Sequence, residues 1–271
     1  MIEIAYSERH AFPDGDRPHT GNPAGVARLS APLPDDDLLG LAQSNNLSET
    51  AYLLKGDGED VWDLRWFTPG CEVDLCGHAT LASAAVLFDA GAVLADTAFF
   101  DTRSGRLSVT RRTDGVLEMD FPEITYRPGE PAAGVCDALG VEPQAVFEIE
   151  RVHGARYQMM VLSSEAQVAG LTPDFGALKR AGVNLIVTAP GESADFVSRF
   201  FAPAAGVDED PVTGSAHCTL ATFWAEQLGR KALSARQIGP RPGALGVEAV
   251  GAGRVKITGT ARAYLDGVIR L

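Results

Sequence analysis

Cys76, Gly77 and His78 stand in a row at the mouth of a segment, Asp74-Leu-Cys-Gly-His-Ala-Thr-Leu-Ala-Ser-Ala-Ala-Val-Leu87, that is otherwise almost wholly apolar. A thiol and an imidazole can each move a proton. A second such mouth follows later in the chain, where Asp208-Glu209-Asp210 precede Gly214, Ser215 and His217 and another apolar run begins. The first N–H groups of a buried helix lack intrahelical partners, and the helix dipole places partial positive charge there, so each mouth suits an anion. A small carboxylate held beside proton-moving groups is the chemistry these residues suggest. Plainer readings exist for each. His78 alone equally fits a helix-start residue bonded to a backbone carbonyl. Asp208-Glu209-Asp210 fits a solvated acidic loop, and Ser215 fits a helix cap. Cys71, Cys136 and Cys218 read as structural.

The elements that must hold these groups come in two copies. Arg65-Trp-Phe-Thr-Pro-Gly-Cys-Glu-Val-Asp74 aligns without a gap to Arg199-Phe-Phe-Ala-Pro-Ala-Ala-Gly-Val-Asp208. In this alignment Asp208 pairs with Asp74, and Glu209-Asp210-Pro211 fall in a short insertion before the second glycine, which singles out Asp210 within the acidic run. Repeats at this offset predict two similar lobes. Neither apolar run carries a charged face through its first three turns, which places each helix inside a sheet that wraps it. Strands are expected around Ala51–Leu54, Val61–Phe67, Gly105–Thr110, Val116–Phe121, Tyr157–Leu162, Leu185–Thr188 and Phe196–Phe201, with peripheral helices at Pro34–Asn45 and Pro173–Gly182. The expected fold is α+β, two pseudo-symmetric lobes, each a β-barrel-like sheet around a central buried helix. The first lobe covers 1–121, with a C-terminal strand at about 256–271 packing back on it, and the second covers 122–255. The boundary falls where FPEITYRPGEP breaks the periodicity with three prolines. The termini of the two helices, at Gly77 and Gly214, are expected to face one cleft.

Composition excludes several classes. A net charge of −13 over 271 residues argues against a nucleic-acid partner. The chain shows no run of about 18 apolar residues and no signal-like start, so it reads as a cytoplasmic protein with no membrane partner. Four scattered cysteines make neither a disulfide scaffold nor a CxxC metal pair. No phosphate-binding GxxxxGK[ST] or strand-placed GxGxxG occurs, so no cofactor is expected.

Gly21-Asn-Pro-Ala-Gly-Val26, Leu47-Ser-Glu-Thr-Ala-Tyr52, Arg65-x-Phe-Thr-Pro69, Cys76-Gly-His78 and Asp210-Pro-Val-Thr-Gly-Ser215 together resemble the phenazine-biosynthesis PhzF-like isomerase family of the diaminopimelate-epimerase superfamily. The resemblance implies two barrel-and-helix lobes, an active site between them, and frequent homodimers. It implies cofactor-independent proton shifting on a small amino or cyclic carboxylic acid, with no metal. Glu49 would be the acid/base, with His78, Asp210 and Ser215 positioning substrate and proton and Gly77, Gly214 and Cys76 lining the site. Taken alone, Ser48-Glu49-Thr50 reads as an ordinary strand edge or turn, and Gly21-Asn22-Pro23 as a turn. Partial burial would bring a carboxylate base toward neutral pH.

One position departs from the superfamily's two-thiol racemases. Cys76 precedes Gly77, but Thr213 precedes Gly214. A hydroxyl is far too weak an acid to replace a thiol of pKa about 8.5. That disfavours a symmetric racemase and leaves a one-base shift at Glu49, with Cys76 either assisting or a relic. A Cys76-dependent racemase or epimerase, and a catalytically inactive ligand-binding homologue, remain the alternatives.

Overall fold

Every residue from Gly77 to Phe88 is buried, and this one fact organises the first half of the chain. A helix with no wettable face forms only where strands cover it on several sides. The computed structural model describes residues 2–150 and 156–271.

The elements run β1 Glu3–Ala11, β2 Asn22–Leu29, α1 Asp35–Asn45, β3 Glu49–Lys55, β4 Val61–Phe67, β5 Glu72–Val73, α2 Gly77–Asp89, β6 Thr97–Thr102, β7 Gly105–Arg111 and β8 Leu117–Pro122. They continue β9 Tyr126–Pro128, α3 Val135–Leu139, β10 Ala145–Ile149, β11 Arg156–Val161, α4 Glu165–Ala169, α5 Phe175–Ala181, β12 Val183–Pro190, β13 Phe196–Ala202 and β14 Val207–Asp210. The last are α6 Gly214–Leu228, β15 Ala232–Gln237, β16 Gly243–Gly251, β17 Arg254–Gly259 and β18 Ala261–Arg270. The chain divides into two compact units, Met1–Phe121 with Ile257–Leu271, and Pro122–Lys256.

In the first unit β1 lies antiparallel between β18 and β2. The chain then crosses through α1 to β3, parallel to β2, and turns back into β4. A second crossover, through α2, sets β6 parallel to β4, and β7 and β8 follow as antiparallel neighbours. Helix α2 is therefore a crossover helix, and it packs on β1, β2, β3 and β7. Helix α1 covers the outer face, where Leu38, Leu41 and Ala42 pack with Ile4, Ala27 and Tyr52.

The second unit repeats the succession. β10 lies antiparallel between β9 and β11. Through α4 and α5 the chain reaches β12, parallel to β11, and it turns back into β13. Through α6 it reaches β15, parallel to β13, with β16 antiparallel beyond. Val183, Leu185, Val187 and Ala189 of β12 pack outward with Val168 and Leu178 of the peripheral helices. The alternate residues of β12 face α6, as shown by the Trp224 indole donating to Thr188 at 2.9 Å.

Strand register corrects the sequence alignment of the two copies. Phe67 pairs with Glu72, and Phe201 pairs with Glu209, so Glu209 is the counterpart of Glu72 and Asp210 of Val73. Each glutamate receives a two-pronged bond from the repeat's arginine, at 2.7 Å for both prongs in Arg65–Glu72 and at 2.7 and 2.8 Å in Arg199–Glu209. The extra residues lie in the turn before Glu209, which holds a 3₁₀ turn at Pro203–Ala205 and Gly206 at φ 89°. From glutamate to helix the spacing is equal, 72 to 77 and 209 to 214. Asp210 is therefore not part of an insertion. The gapless match at Val and Asp is coincidental, because side-chain pairing rather than residue identity fixes register.

Gly21 begins the turn into β2 at φ 79°, and a Cβ there would lie 2.6 Å from the Ala11 carbonyl oxygen and 2.9 Å from Pro13 N. Replacement by alanine meets both a left-handed backbone and a clash with main chain that cannot swing aside. Gly21→Ala is expected to cost more than about 2 kcal/mol in urea unfolding. Gly15→Ala, at φ 56° in open space, should cost only the ~1 kcal/mol of the backbone conformation. Equal losses at the two sites would show that close approach is not what fixes this turn.

Candidate active site

Three of the expected residues meet in the first unit. Glu49 opens β3 on the face turned from α1, and Cys76 and His78 flank the first residue of α2. One donor atom of each lies within 4.8 Å of the others. His78 Nε2 is 3.3 Å from Glu49 Oε2, and His78 Nδ1 is 3.5 Å from Cys76 Sγ. Glutamate and thiol thus sit at opposite edges of one imidazole, an arrangement suited to passing a proton rather than to converging on one ion.

The ring's tautomer follows from a neighbour that sequence reasoning treated as a turn. Asn22 is fully buried, and its side chain lies 3.1 Å from His78 Nδ1. The Ser48 hydroxyl donates to Asn22 Oδ1 at 3.4 Å, so Nδ2 is the atom turned to the imidazole. Nδ2 can only donate, which makes Nδ1 an acceptor and places the ring proton on Nε2, which lies near Glu49 Oε2 without a hydrogen bond between them. Burial pushes His78 down to about 3, outweighing the opposing hydrogen bond to the Pro23 backbone. The imidazole is neutral at physiological pH and sits beside a carboxylate. Gly21-Asn22-Pro23 was visible in sequence as a motif, but its purpose was not, because a turn signal says nothing about where the asparagine amide points.

The second unit places Asp210, Gly214 and Ser215 together. The Thr213 hydroxyl donates to Asp210, Gln237 Oε1 accepts from Thr213 N at 2.8 Å, and Gln237 Nε2 donates to the Asp210 carbonyl. Thr213 and Gln237 therefore hold Asp210 at the start of α6, a role no sequence motif announced. Asp208 is exposed on β14. His217 Nδ1 donates to the Thr213 carbonyl at 2.8 Å, as Thr80 Oγ1 does to the Cys76 carbonyl at 2.6 Å. Burial pushes His217 down to about 4. No side chain caps the first turn of α2 or of α6, so both helices keep main-chain donors for an anion.

A family model described as phenazine biosynthesis-like protein matches residues 10–267. An uncharacterized isomerase of Pseudomonas aeruginosa is 45% identical, with 100% of both chains covered. The crystal structure of a PhzF-family phenazine biosynthesis protein from Enterococcus faecalis is 41% identical, covers 100% of both chains, and superposes with a TM-score of 0.90. A hydroxyproline epimerase from Agrobacterium vitis, solved with bound trans-4-hydroxy-L-proline, is 14% identical over 99% of this chain and 93% of its own. Its TM-score of 0.59 marks a shared fold alone.

Two measurements check this geometry. Asn22→Asp replaces the donor facing Nδ1 with an acceptor, so the ring proton should move to Nδ1, read as exchanged ¹⁵N shifts of the two His78 nitrogens. Unchanged shifts would remove Asn22 as the tautomer's determinant. The second concerns stability. Unfolded histidine titrates near 6.5, while His78 and His217 stay neutral when folded until about 3 and about 4. Only the unfolded chain gains protons as pH falls below about 6.5, so folding stability should drop by about 1.4 kcal/mol per pH unit for each histidine. His217→Gln should lose one histidine's share of that slope between pH 6 and 5 in urea titrations.

Proposed function

The chain belongs to the phenazine biosynthesis-like protein family, and from that membership we propose that it is a cofactor-independent isomerase that shifts a proton on a small carboxylic acid, with Glu49 as the acid/base. The observation that carries the reading is the Glu49 carboxylate at 3.3 Å from the Nε2 of a buried, neutral histidine. A neutral imidazole beside a carboxylate does not neutralise it, which leaves the carboxylate able to accept a proton from carbon.

The step balances within one substrate. Glu49 takes a proton from a carbon next to a double bond or carboxylate, and the C–H electron pair enters the substrate's π system. The protonated Glu49 then returns the proton to a different carbon, where the displaced π pair forms the new C–H bond. Double bond and hydrogen change places, and no oxidant or cofactor takes part. His78 packs beside the carboxylate and Asn22 holds His78. We assign Asp210 and the main-chain donors at Gly77, Gly214 and Ser215 to fixing the substrate's charged and polar groups.

A thiol-based epimerase would pass the proton through Cys76, whose Sγ lies at the Nδ1 edge of His78. That edge accepts from Asn22 and so has little basicity left to take the thiol proton. The second unit has Thr213 where a second thiol would stand.

The two chemistries separate by mutation. Glu49→Gln keeps shape and removes the proton acceptor, so turnover and carbon-bound hydrogen exchange in deuterated water should fall by about 10²–10⁴-fold, with binding kept. Cys76→Ser should change either by less than about threefold. Loss of exchange in Cys76→Ser with full exchange in Glu49→Gln would replace the isomerase with the epimerase.

A further inference from the structure

The two units align residue by residue through their strand pairs. Arg65 pairs with Tyr52 and Arg199 with Val187, so Glu49 and Asn184, each three residues earlier, occupy equivalent positions. Their parallel partners, Ala24 and Tyr157, carry the match into the neighbouring strands, where Ser7 answers to Phe147, Arg9 to Ile149 and Arg28 to Val161. Val86 and Asp89, nine and twelve residues beyond Gly77, answer to Phe223 and Glu226 beyond Gly214.

In the second unit this end of the central helix is plugged by rings. Phe223 lies 5.4 Å from Phe147, 5.7 Å from Tyr126 and 5.3 Å from Trp224, ring centre to ring centre, and the Tyr126 hydroxyl donates to Glu226 at 2.8 Å. The first unit has serine and valine where the plug has its two phenylalanines, and a cavity of about 300 Å³ opens between β1, β2, β18 and the last turn of α2. It lies twelve residues along α2 from Gly77, about 18 Å at the helical rise. Its polar lining is Ser7, Arg9, Arg28, Asp89 and Asp266. Arg9 is buried and ties the two carboxylates together, at 2.9 Å from Asp266 and 3.5 Å from Asp89, yet its Nε has no hydrogen-bond partner. The Ser7 hydroxyl and then Arg9 hold Asp266 below the usual carboxylate range, and the charge of Arg28 adds to them. Asp89 and Asp266 keep 62% and 63% of their side chains exposed, so neither is sealed from a ligand. Packing alone does not call for two arginines here, since Ile149 and Val161 serve at the same positions in the second unit.

We infer that this cavity is a binding site for a dipolar amino acid with a ring in or next to its backbone. Two guanidinium and two carboxylate groups sum to no net charge, so an ion of either sign is attracted by one pair and repelled by the other. A molecule carrying both charges aligns with the lining. Its ammonium group sits at Asp89, where the carboxyl end of α2 adds partial negative charge, and its carboxylate faces Arg28, whose guanidinium offers paired donors. Its ring takes the space that Phe147 and Phe223 fill in the second unit, against Val86 and Ala5. The site is separate from the Glu49 centre and holds whether or not the isomerase reading does.

The test uses the full chain and two amino acids, each with partners that keep the ring and one charge: phenylalanine with 2-phenylethylamine and 3-phenylpropionate, proline with pyrrolidine and cyclopentanecarboxylate. Affinity is read by calorimetric titration, and the place of binding by the shifts of the Val86 methyl groups in ¹³C-labelled protein. At least one amino acid should bind about tenfold or more tighter than both its partners, and Val86 should shift as it binds. Arg28→Val installs the second unit's valine at a half-buried position. It should weaken that amino acid by about 10–100-fold and leave its amine partner unchanged. Ser7→Phe closes the cavity with the second unit's ring and should abolish binding, and Arg28→Val decides the matter alone if the ring is not accommodated. No preference over the partners, an unshifted Val86, or binding that Arg28→Val leaves intact would overturn the assignment. An amino acid held only at the Gly77 mouth would give the last two results together.

Discussion

Enclosing an entire helix within its own unit is the constraint on which the rest of this structure depends. Strands must cover α2 on several sides, so the chain uses it as a crossover between parallel strands and builds the sheet around it. The same enclosure leaves the helix's first N–H groups inside the fold with no side-chain cap, and polar residues gather where those donors emerge. Burial also sets the electrostatics. His78 stays neutral because its ring is excluded from water, and a neutral imidazole can steady a carboxylate without becoming its salt-bridge partner.

The second unit obeys the same constraint with different chemistry. The Arg–Glu clamp, the parallel crossover and the back-bond to the N-cap carbonyl all recur. These features hold the helix mouth in place, and altering them would disturb backbone that both units need. Side chains at the mouth face no such demand. Val73 has Asp210 as its counterpart, and Cys76 has Thr213. The repeated scaffold fixes where groups point, and the groups themselves have diverged.

Much of this was legible in sequence for a physical reason. An uncharged, apolar run of three turns has one stable environment, so α2 and α6 and their starts at Gly77 and Gly214 could be read directly. Arg65 and Arg199 marked the repeated strand because each opens the same short motif. The glutamates that complete the clamps were misaligned, since a turn can lengthen without altering the strands it joins and an ungapped match hides that. Asn22 and Gln237 were invisible for another reason. Each acts through an amide whose partner is distant in the chain, and nothing about an isolated asparagine or glutamine reveals which way its amide will point. Glu49 was found only because its motif resembled a family; its local sequence reads as a strand edge.

The difference between Glu49 and Asn184 follows from their surroundings. Glu49 keeps about a fifth of its side chain exposed, 18%, so a negative charge there retains some solvation. Asn184 has no exposure at all and no partnered atom. A carboxylate in that place would be desolvated with nothing to balance it, and it would either destabilise the unit or take up a proton and cease to be a base. An amide has no charge to lose. A fold with one such position partly open and its counterpart sealed therefore tolerates a charged carboxylate in only one unit.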